Sequence, residues 1–483
     1  MAVKTSTLRC CRNRRRRIRD RVMHTAMRVG RGSRDSRPAR VLIPMDGVPG
    51  WVVSQTEMWK VCAMQDLSRY QGVWGIVAIL TTAWLLSEHR WKVSLRTLLG
   101  GLLLQLGLGV LLLRSAAGRR VLDGAAAWVN SILACATEGA RFLFGDALVQ
   151  ADGPVGFVFA VQVLPAIIFV AALFAVLYHL GIMQRVVRLV AWLTAGVLGS
   201  SGAETLNAAA SIFLGQTEAP LTIRPYLAKL TRSELMVVMV SGMGLVSGGM
   251  LAAYIGFVGG ADEALRATVS RHLLAAILMT FPATIMLAKI VIPETESPET
   301  LGRFPTDDMS RDANIIDAAA RGTREGLLMA VNVGAILIAF IALLAMVNMG
   351  LGWLGGWLAD PDFSVQKVLG WLLAPVAWLM GVPWSECDTV GSLLGVRTVT
   401  NEAVAYQELG KFVRGGAIGE RATMLSTIAM CSFANLSSIG IQVGGIGALV
   451  PERRRDLARL GVKALLVATL ATALSASIAG LIV

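Results

Sequence analysis

Long apolar segments recur along this chain and constrain its fold more than any other feature. From about residue 71 onward, apolar stretches separated by short polar loops approach the roughly 20 residues that a helix needs to cross a bilayer. Of the 483 residues, 55% are hydrophobic and only 16% are charged, a composition typical of polytopic membrane proteins. The sequence therefore predicts an all-α polytopic membrane protein.

We expect about eight transmembrane helices, joined by loops and by interfacial helices that lie along the membrane. The expected spans are residues 71–87, 98–113, 155–180, 235–258, 272–292, 327–349, 422–449 and 462–482. Amphipathic patterns predict interfacial helices or connections at residues 121–144, 184–193, 314–326 and 353–365. Pro165 lies inside the third expected span, where we expect it to kink the helix.

One polar cluster ends an apolar arm that is too short to span a bilayer. The arm, residues 206–214, leads into Gln216-Thr217-Glu218 and then into Pro220. Irregular backbone at membrane depth is tolerated only where it is buried in protein or lines a cavity, and an ionisable residue there indicates a functional site. We therefore predict a re-entrant hairpin with Glu218 at its tip. The alternative is a soluble loop with a surface glutamate.

The same pattern returns in the second half of the chain. There Thr400-Asn401-Glu402 forms a polar tip after an apolar stretch at residues 368–380. Each tip is followed, roughly thirty residues later, by an expected span with an interrupted middle, glycine-rich at 241–249 and polar at 431–440. Paired half-length segments with interrupted helices predict two re-entrant hairpins in an inverted repeat. The glycines at 241–249 also fit close packing of an unbroken helix.

Positive charge is concentrated in the N-terminal tail. The chain has a net charge of +13, and residues 1–40 hold twelve of those charges, because fourteen basic residues there face only Asp20 and Asp35. Such a tail suits nucleic acid or anionic lipid. The arginines at 453–455 indicate a cytoplasmic loop, and eight spans would then place the tail outside, against the positive-inside rule. That conflict favours translation from a downstream methionine such as Met45, and we predict no nucleic-acid partner.

The polar set inside the expected membrane region suits a neutral, hydroxylated ligand. Its members are Gln216, Thr217, Glu218, Asn401, Glu402, Asn435, Ser437 and Ser438. A carboxylate accepts two hydrogen bonds from a vicinal diol, and an amide pairs with the edge of a base. No lysine or arginine lies in these motifs, which argues against phosphorylated or carboxylate substrates. The scattered cysteines and histidines predict no metal site, and no nucleophile–base pair indicates an enzyme.

These motifs resemble those of the concentrative nucleoside transporter family, and the resemblance covers the chain from about residue 70 onward. The residues that carry it are Gly215-Gln216-Thr217-Glu218-Ala219-Pro220, Arg224-Pro225-Tyr226-Leu227, Thr400-Asn401-Glu402 with Ala405-Tyr406, and Phe433-Ala434-Asn435-Leu436-Ser437-Ser438-Ile439-Gly440-Ile441-Gln442. The resemblance implies secondary active, cation-coupled uptake of nucleosides across the inner membrane by elevator-type alternating access. It also implies a homotrimer in the lipid bilayer, a scaffold and a mobile transport domain in each protomer, and no cofactor.

The resemblance further implies roles for individual residues. The base side of a nucleoside would meet Gln216, Thr217, Glu218, Met250 and Phe433. The ribose side would meet Glu402, Asn435 and Ser438. The roles of Asn401 and Ser437 stay open, because Asn401 could orient Glu402 and Ser437 could satisfy broken backbone. Similar residue types favour either purines or pyrimidines, so the base preference also stays open.

The coupling ion is where the sequence departs from the family pattern. Sodium-coupled relatives have an asparagine at the position of Ser211, use the carbonyl at Leu214, and have a hydroxyl residue at Leu245. A hard cation takes about six oxygen ligands, and two side-chain oxygens are shortened or missing here. We therefore favour a proton over sodium, with one of the two hairpin glutamates as its carrier. The candidate ion-coupling residues are Ser211, Leu214, Leu245, Val246, Glu218 and Glu402.

Five segments follow from these patterns. They are a basic, disordered extension, spans that are mostly scaffold, the first hairpin with the fourth and fifth spans, a scaffold segment with the sixth span, and the second hairpin with the last two spans, at residues 1–70, 71–195, 196–292, 293–365 and 366–483. The alternative function is that of a membrane protein that uses the hairpin fold for sensing or assembly without transport.

Overall fold

The computed structural model describes residues 40–42, 52–149, 158–303, 312–357 and 363–483. The chain forms two units, Met1–Asp66 and Leu67–Val483. In the first unit, strands β1 (Arg40–Leu42) and β2 (Val52–Ser54) pair antiparallel. Apart from these two short strands, the described elements are helical, as the all-α prediction requires. The disordered extension expected at residues 1–70 is wrong for residues 52–70, which form β2 and the first part of the helix Gln55–Leu85. Residues 1–39 lie outside the described ones.

The helices are numbered here in chain order. They are α1 Gln55–Leu85, α2 Leu95–Gly109, α3 Ala116–Phe144, α4 Asp146–Val149, α5 Phe159–Gln162, α6 Leu164–His179, α7 Ile182–Leu198, α8 Gly202–Ala210, α9 Arg232–Gly244, α10 Gly248–Gly259, α11 Glu263–Val291, α12 Ile315–Trp357, α13 Val365–Leu379, α14 Cys387–Val399, α15 Glu402–Arg414, α16 Glu420–Met430, α17 Leu436–Leu449 and α18 Arg454–Ile482. Short 3-10 helices occur at Arg90–Lys92, Ala219–Lys229, Trp384–Glu386 and Pro451–Arg453, and a π-helix at Val110–Arg114.

Six helical segments among the described residues are long and apolar enough to cross a membrane, judged by length and composition. They are Leu95–Arg114, Ala160–His179, Arg232–Gly259, Glu263–Val291, Ile315–Trp353 and Pro451–Ile482. The expected first and seventh spans correspond to shorter apolar helices, Tyr70–Leu85 and Leu436–Leu449. The seventh is short because the chain unwinds between α16 and α17.

Burial divides the long segments into a central and an outer group. In Arg232–Gly259, Glu263–Val291 and Pro451–Ile482, between 72% and 94% of the most apolar window is buried inside the protein. In the three other segments the buried share is 18% to 28%. Helix α11 packs against α2, α9 and α18, whereas α6 packs along α12. The broken fourth span therefore lies in the interior, and the outer helices present apolar side chains outward.

The predicted kink at Pro165 is wrong. Pro165 lies in the first turn of α6, which begins at Leu164, and the short helix α5 precedes it. A proline at that position loses no intrahelical hydrogen bond, because the first amides of a helix have no partner within it. The proline therefore starts the helix.

The separate lead-in expected at residues 314–326 is also wrong, because α12 runs without a break from Ile315. Its glycines mark close packing on α6. A Cβ atom at Gly322 would approach Cβ of Ala175 to 2.6 Å, and one at Gly326 would approach Cβ of Ala171 to 2.8 Å. Small residues here admit a neighbouring helix and do not end their own.

The apolar stretch at residues 368–380 forms a helix of its own, α13, which packs along α14. At the crossing, a Cβ atom at Gly391 would lie 2.6 Å from the carbonyl oxygen of Gly370. The arm that leads to the polar tip at Thr400 is therefore α14.

Candidate functional site

Hairpin 1 (residues 202–229) begins with a capping box. The side chain of Ser201 accepts from the backbone of Glu204, and the Glu204 carboxylate accepts from the backbone of Ser201. Helix α8 ends at Ala210, and turns lead to the 3-10 helix Ala219–Lys229. The predicted polar tip therefore lies where the backbone leaves the helix.

At this tip the polar side chains have few partners in the protein. Gln216 is buried and its Nε2 donates to Oγ of Ser438 at 3.2 Å. Glu218 is half-buried and accepts from the backbone amide of Gly215 at 3.2 Å. Thr217 packs against α17, because a Cβ atom at Gly445 would lie 2.6 Å from its Cγ2. The tip thus contacts α17 while leaving the Glu218 carboxylate without a side-chain hydrogen bond in the described part of the protein.

The fourth span is broken, as the glycine-rich pattern predicts. Helix α9 ends at Gly244 and α10 begins at Gly248. The amide of Gly248 donates to the carbonyl of Phe213 at 3.2 Å, which joins the break to the tip of hairpin 1. Met250 is buried one turn into α10.

Hairpin 2 (residues 387–414) comprises α14 and α15, which are interrupted at Thr400-Asn401. Asn401 caps α15, since its Oδ1 accepts from the amide of Val404 at 2.9 Å. Its Nδ2 is buried without a partner among the described residues. Glu402 is the first residue of α15 and is 6% exposed.

The seventh span unwinds between Met430 and Leu436, and Asn435 caps the helix that follows. The Asn435 Oδ1 accepts from the amide of Ser438 at 2.9 Å and from Oγ of Ser437 at 2.6 Å. Its Nδ2 donates to the Glu402 carboxylate at 2.8 Å. Asn435 therefore joins hairpin 2 to the start of α17.

Four of the predicted site residues thus meet at one place, the N-terminus of α17. Gln216 of hairpin 1 donates to Ser438 of α17, and Glu402 of hairpin 2 accepts from Asn435, which caps α17. Glu218, Thr217, Met250 and Phe433 are not joined to this network by side-chain hydrogen bonds in the described structure. Phe433 is half-buried in the unwound stretch. Ser437 is exposed, and its hydroxyl donates to the side chain of Asn435 and not to a backbone group, so its role stays open.

The candidate ion positions lie beside the fourth-span break. Oγ of Ser211 donates to the carbonyl of Asn207 at 2.9 Å. Leu214, Leu245 and Val246 are buried. Leu245 and Val246 belong to the non-helical residues between α9 and α10, where carbonyl groups leave the helical pattern. The arrangement offers carbonyl oxygens and one hydroxyl, and the apolar side chain at Leu245 adds no ligand.

Sequence reasoning missed a buried arginine. Arg397 lies in the last turn of α14 and is 1% exposed. It stands three residues before Thr400. A basic residue therefore lies beside the polar tip of hairpin 2, although none belongs to the polar set itself. A lone arginine in the apolar run 393–399 is the signal that could have found it, because ionisable residues at membrane depth are rare.

Sequence reasoning also missed Tyr254, and it named Tyr406 only as part of a family motif. The rings of Tyr254 on α10 and Tyr406 on α15 stack with centroids 4.3 Å apart. The hydroxyl of Tyr406 donates to the carbonyl of Thr427 at 2.7 Å. The pair joins the broken fourth span to hairpin 2 behind Glu402.

Two interrupted hairpins that meet two broken helices inside a bundle of membrane-length helices define a class, that of secondary transporters. Comparison with known proteins gives the family. Family models described as "Na+ dependent nucleoside transporter N-terminus", "Nucleoside recognition" and "Na+ dependent nucleoside transporter C-terminus" match residues 74–147, 160–261 and 272–480.

Individual relatives agree with these matches. The chain is 43% identical over 413 residues to the uncharacterized transporter YutK of Bacillus subtilis, across 85% of this chain and 99% of that one. It is 38% identical over 415 residues to the nucleoside permease NupC of Helicobacter pylori, across 85% and 96% of the two chains. It is similar to the solved structure of CNTnw in an inward-facing substrate-bound state, with a TM-score of 0.79, 40% identity, and coverage of 86% and 98%.

The chain belongs to the concentrative nucleoside transporter family, which confirms the resemblance drawn from the motifs. It is an integral membrane protein of a transporter family and not an enzyme.

Proposed function

We propose that this protein takes up nucleosides across the inner membrane by cation-coupled secondary active transport. The observation that carries the proposal is the convergence of Glu402, Asn435, Ser438 and Gln216 at the N-terminus of α17. This set offers a carboxylate, two amides and a hydroxyl without a basic side chain that touches them, which suits a neutral polyhydroxylated ligand. The family supports the choice of nucleosides, and the Helicobacter pylori permease supports a bacterial inner membrane.

The ribose is proposed to bind at hairpin 2 and α17. Glu402 is buried and already oriented by the Asn435 amide, so its free lone pairs can accept both hydroxyls of a vicinal diol. Ser438 would add a third contact. Hydrogen bonds to a charged group contribute about 1.5–3 kcal/mol each, so this end of the ligand would supply most of the polar binding energy.

The base is proposed to lie toward hairpin 1. Gln216 keeps a buried Oε1 without a partner among the described residues, and an amide of that kind can pair with a base edge. Phe433 and Met250 would give flat and apolar surface, with Thr217 and Glu218 at the rim.

Alternating access is proposed to move the central helices against the outer ones in a homotrimer. Both hairpins and the helices on either side of the second break pack against the central segments, and the first break lies within one of them, whereas α6 and α12 pack on each other and bury little of their own surface. Eight spans, with the hairpins re-entrant and related by an inverted repeat, would complete the proposed fold. The exposed apolar face of α12 suits lipid or a neighbouring protomer.

The coupling ion is proposed to be a proton. Sodium would need oxygen ligands that Ser211 supplies only in part and Leu245 does not supply. Of the two candidate carriers, Glu218 has no side-chain hydrogen bond in the described structure, whereas Glu402 is held by Asn435. We therefore favour Glu218 as the group that gains and loses the proton.

Uptake of labelled uridine into proteoliposomes tests this function. Uptake is expected with an imposed inward proton gradient and to persist when choline replaces sodium at the same gradient. Protein-free liposomes give the background. Loss of uptake without sodium would exclude proton coupling, and an absence of uptake in both ionic conditions, for labelled adenosine as well as uridine, would exclude nucleosides as the substrate class. Competition by other nucleosides would then give the base preference.

A further inference from the structure

Arg397 is a deeply buried cation with neutral hydrogen-bond partners. Its guanidinium donates to the carbonyl of Ala429 at 2.7 Å. Three hydroxyls accept further bonds at 3.2 to 3.3 Å, those of Ser432, Thr469 and Thr472. Its Nε is buried without a partner among the described residues. A buried charge is costly unless other charges or dipoles balance it. The groups that balance the positive charge of Arg397 therefore indicate its role.

Two helix C-termini meet at this guanidinium. Helix α14 ends at Val399, two residues beyond Arg397, and α16 ends at Met430, next to the carbonyl of Ala429 that accepts from Arg397. The C-terminus of a helix carries a partial negative charge from its unpaired carbonyls. Arg397 therefore stabilises the ends of both half-helices.

Two helix N-termini lie on the other side of the same crossing. Glu402 begins α15, and Asn435 caps α17 while donating to the Glu402 carboxylate. Helix N-termini favour a negative charge. Arg397 also attracts Glu402 electrostatically. The other titratable groups that interact with that carboxylate are Tyr254 and Tyr406, and Cys431 neighbours these two tyrosines.

Two helix C-termini also lie at the crossing of hairpin 1 and the fourth span, but no arginine corresponding to Arg397 lies there among the described residues. There α8 ends at Ala210 and α9 ends at Gly244. In the described part of the chain, no lysine or arginine side chain donates a hydrogen bond to residues 211–218 or 245–247. These residues include the candidate ion positions Ser211 and Leu245. Within the residues that the structure describes, two C-terminal ends thus meet a hydrogen-bonded, buried cation at the crossing of hairpin 2 and none at the crossing of hairpin 1, where Arg321 interacts with Glu218 only electrostatically.

We propose that Arg397 is a fixed internal cation at the crossing of hairpin 2 and the seventh span. Its position corresponds to that of the candidate ion site at the crossing of hairpin 1 and the fourth span. It holds the unwound residues 431–435 against hairpin 2 and balances the charge of Glu402. It is a positioning residue, because its donors are directed to protein oxygens and it acts on the ligand through Glu402 and Asn435. The inference rests on the proposed function, in which these two residues contact the ribose.

Binding of uridine and of 2′,3′-dideoxyuridine to the purified protein in detergent tests the inference. Arg397→Met, which is uncharged and of similar length, is expected to weaken uridine binding about tenfold or more, because the ribose contacts are charge-assisted. Dideoxyuridine binding is expected to weaken less than about threefold, because that ligand lacks the two hydroxyls. Arg397→Lys keeps the charge and is expected to cost uridine only about threefold.

Arg414→Met is the matched control. Arg414 lies on the same hairpin and donates to the carbonyls of Phe257 and Val258 at 2.8 and 3.0 Å, at the end of α10 and away from the tip. It is expected to leave the ratio of uridine to dideoxyuridine affinity unchanged.

Equal weakening of both ligands by Arg397→Met, or an unchanged ratio, would overturn the inference. If Arg397→Met gives no folded protein, Arg397→Lys decides: a loss confined to uridine supports the inference, and an equal loss or none overturns it. Failure of the wild-type protein to bind either nucleoside would instead refute the proposed function. If the wild-type protein prefers uridine to dideoxyuridine and the Arg397 variant keeps that preference, the inference is wrong while the proposed function stands.

Discussion

The two hairpins carry glutamates at matching places, yet the surroundings of these glutamates differ. Glu402 of hairpin 2 is buried, starts a helix and accepts from the Asn435 amide at 2.8 Å. Glu218 of hairpin 1 is half-buried and accepts from one backbone amide at 3.2 Å. One carboxylate is held in a fixed geometry, and the other is free to change partners. The comparison suggests a division of labour between ligand binding and ion coupling.

The hairpins also place their cations at opposite ends. At the foot of hairpin 1, Nζ of Lys289 lies 3.0 Å from Oε1 of the fully buried Glu204. In hairpin 2 the buried cation, Arg397, lies next to the tip. The buried ion pair of hairpin 1 thus lies at the start of the hairpin, far along the chain from its polar tip. The buried arginine of hairpin 2 lies beside the candidate site.

The largest expected effect is that of Glu402→Gln. The neutral amide removes the charged acceptor of two proposed ribose contacts, each worth about 1.5–3 kcal/mol, so uridine uptake should fall about 100-fold or more. Proteoliposome uptake measures the loss, and light scattering on the purified protein checks that assembly is unchanged. Glu408→Gln is the control, because Glu408 pairs with Lys411 at 2.6 Å on the surface of the same hairpin and such pairs contribute little. Wild-type uptake by the Glu402 variant would remove that residue from the ribose site.

Glu218→Gln should separate binding from coupling. A glutamine cannot carry a proton, so accumulation of uridine driven by a proton gradient should be lost while exchange of internal for external uridine continues. Both are measured in the same proteoliposomes, with and without a pH gradient. Retained accumulation would show that the comparison between the two glutamates is wrong.

Gly445→Ala should have a smaller effect, on the tip of hairpin 1. The new Cβ would lie 2.6 Å from Cγ2 of Thr217, and overpacking of this kind costs about 1 kcal/mol or more. We expect the KM for uridine to rise about fivefold. Gly444→Ala is the matched control on the same helix, because its Cβ would meet nothing within 4 Å. Equal KM values for the two variants would mean that Thr217 does not depend on this contact.

The smallest expected effect is a gain of sodium response. The double change Ser211→Asn with Leu245→Ser replaces the short hydroxyl at 211 by a longer amide oxygen and adds one hydroxyl at 245, where a hard cation needs about six ligands in all. Uptake at a fixed proton gradient should then rise about twofold when sodium replaces choline, a change of about 0.4 kcal/mol. The wild-type protein should show no such rise. An unchanged sodium response in the double variant would place the ion preference elsewhere in the protein.

Much of the fold follows from local patterns. Apolar length predicts the membrane-length segments, and the interruptions at 241–249 and 431–440 predict helix breaks that the structure confirms between α9 and α10 and between α16 and α17. Proline and glycine were less reliable guides. Pro165 starts a helix, and Gly322 and Gly326 admit a neighbouring helix. Their meaning depends on what packs against them, which no local window contains.

The sequence by itself determined which residue types stand at the two polar tips and two helix breaks, and these argue against a charged substrate and favour a hydroxylated one. Only the tertiary structure decided which of these groups touch. Gln216 and Ser438 are 222 residues apart in the chain and 3.2 Å apart in space. The balance of charge was likewise decided in three dimensions, because Arg397 and the helix ends around it come from four separate helices. Hydropathy is a local property that a sequence displays directly, whereas a hydrogen bond or a buried charge depends on distances that only the folded chain sets.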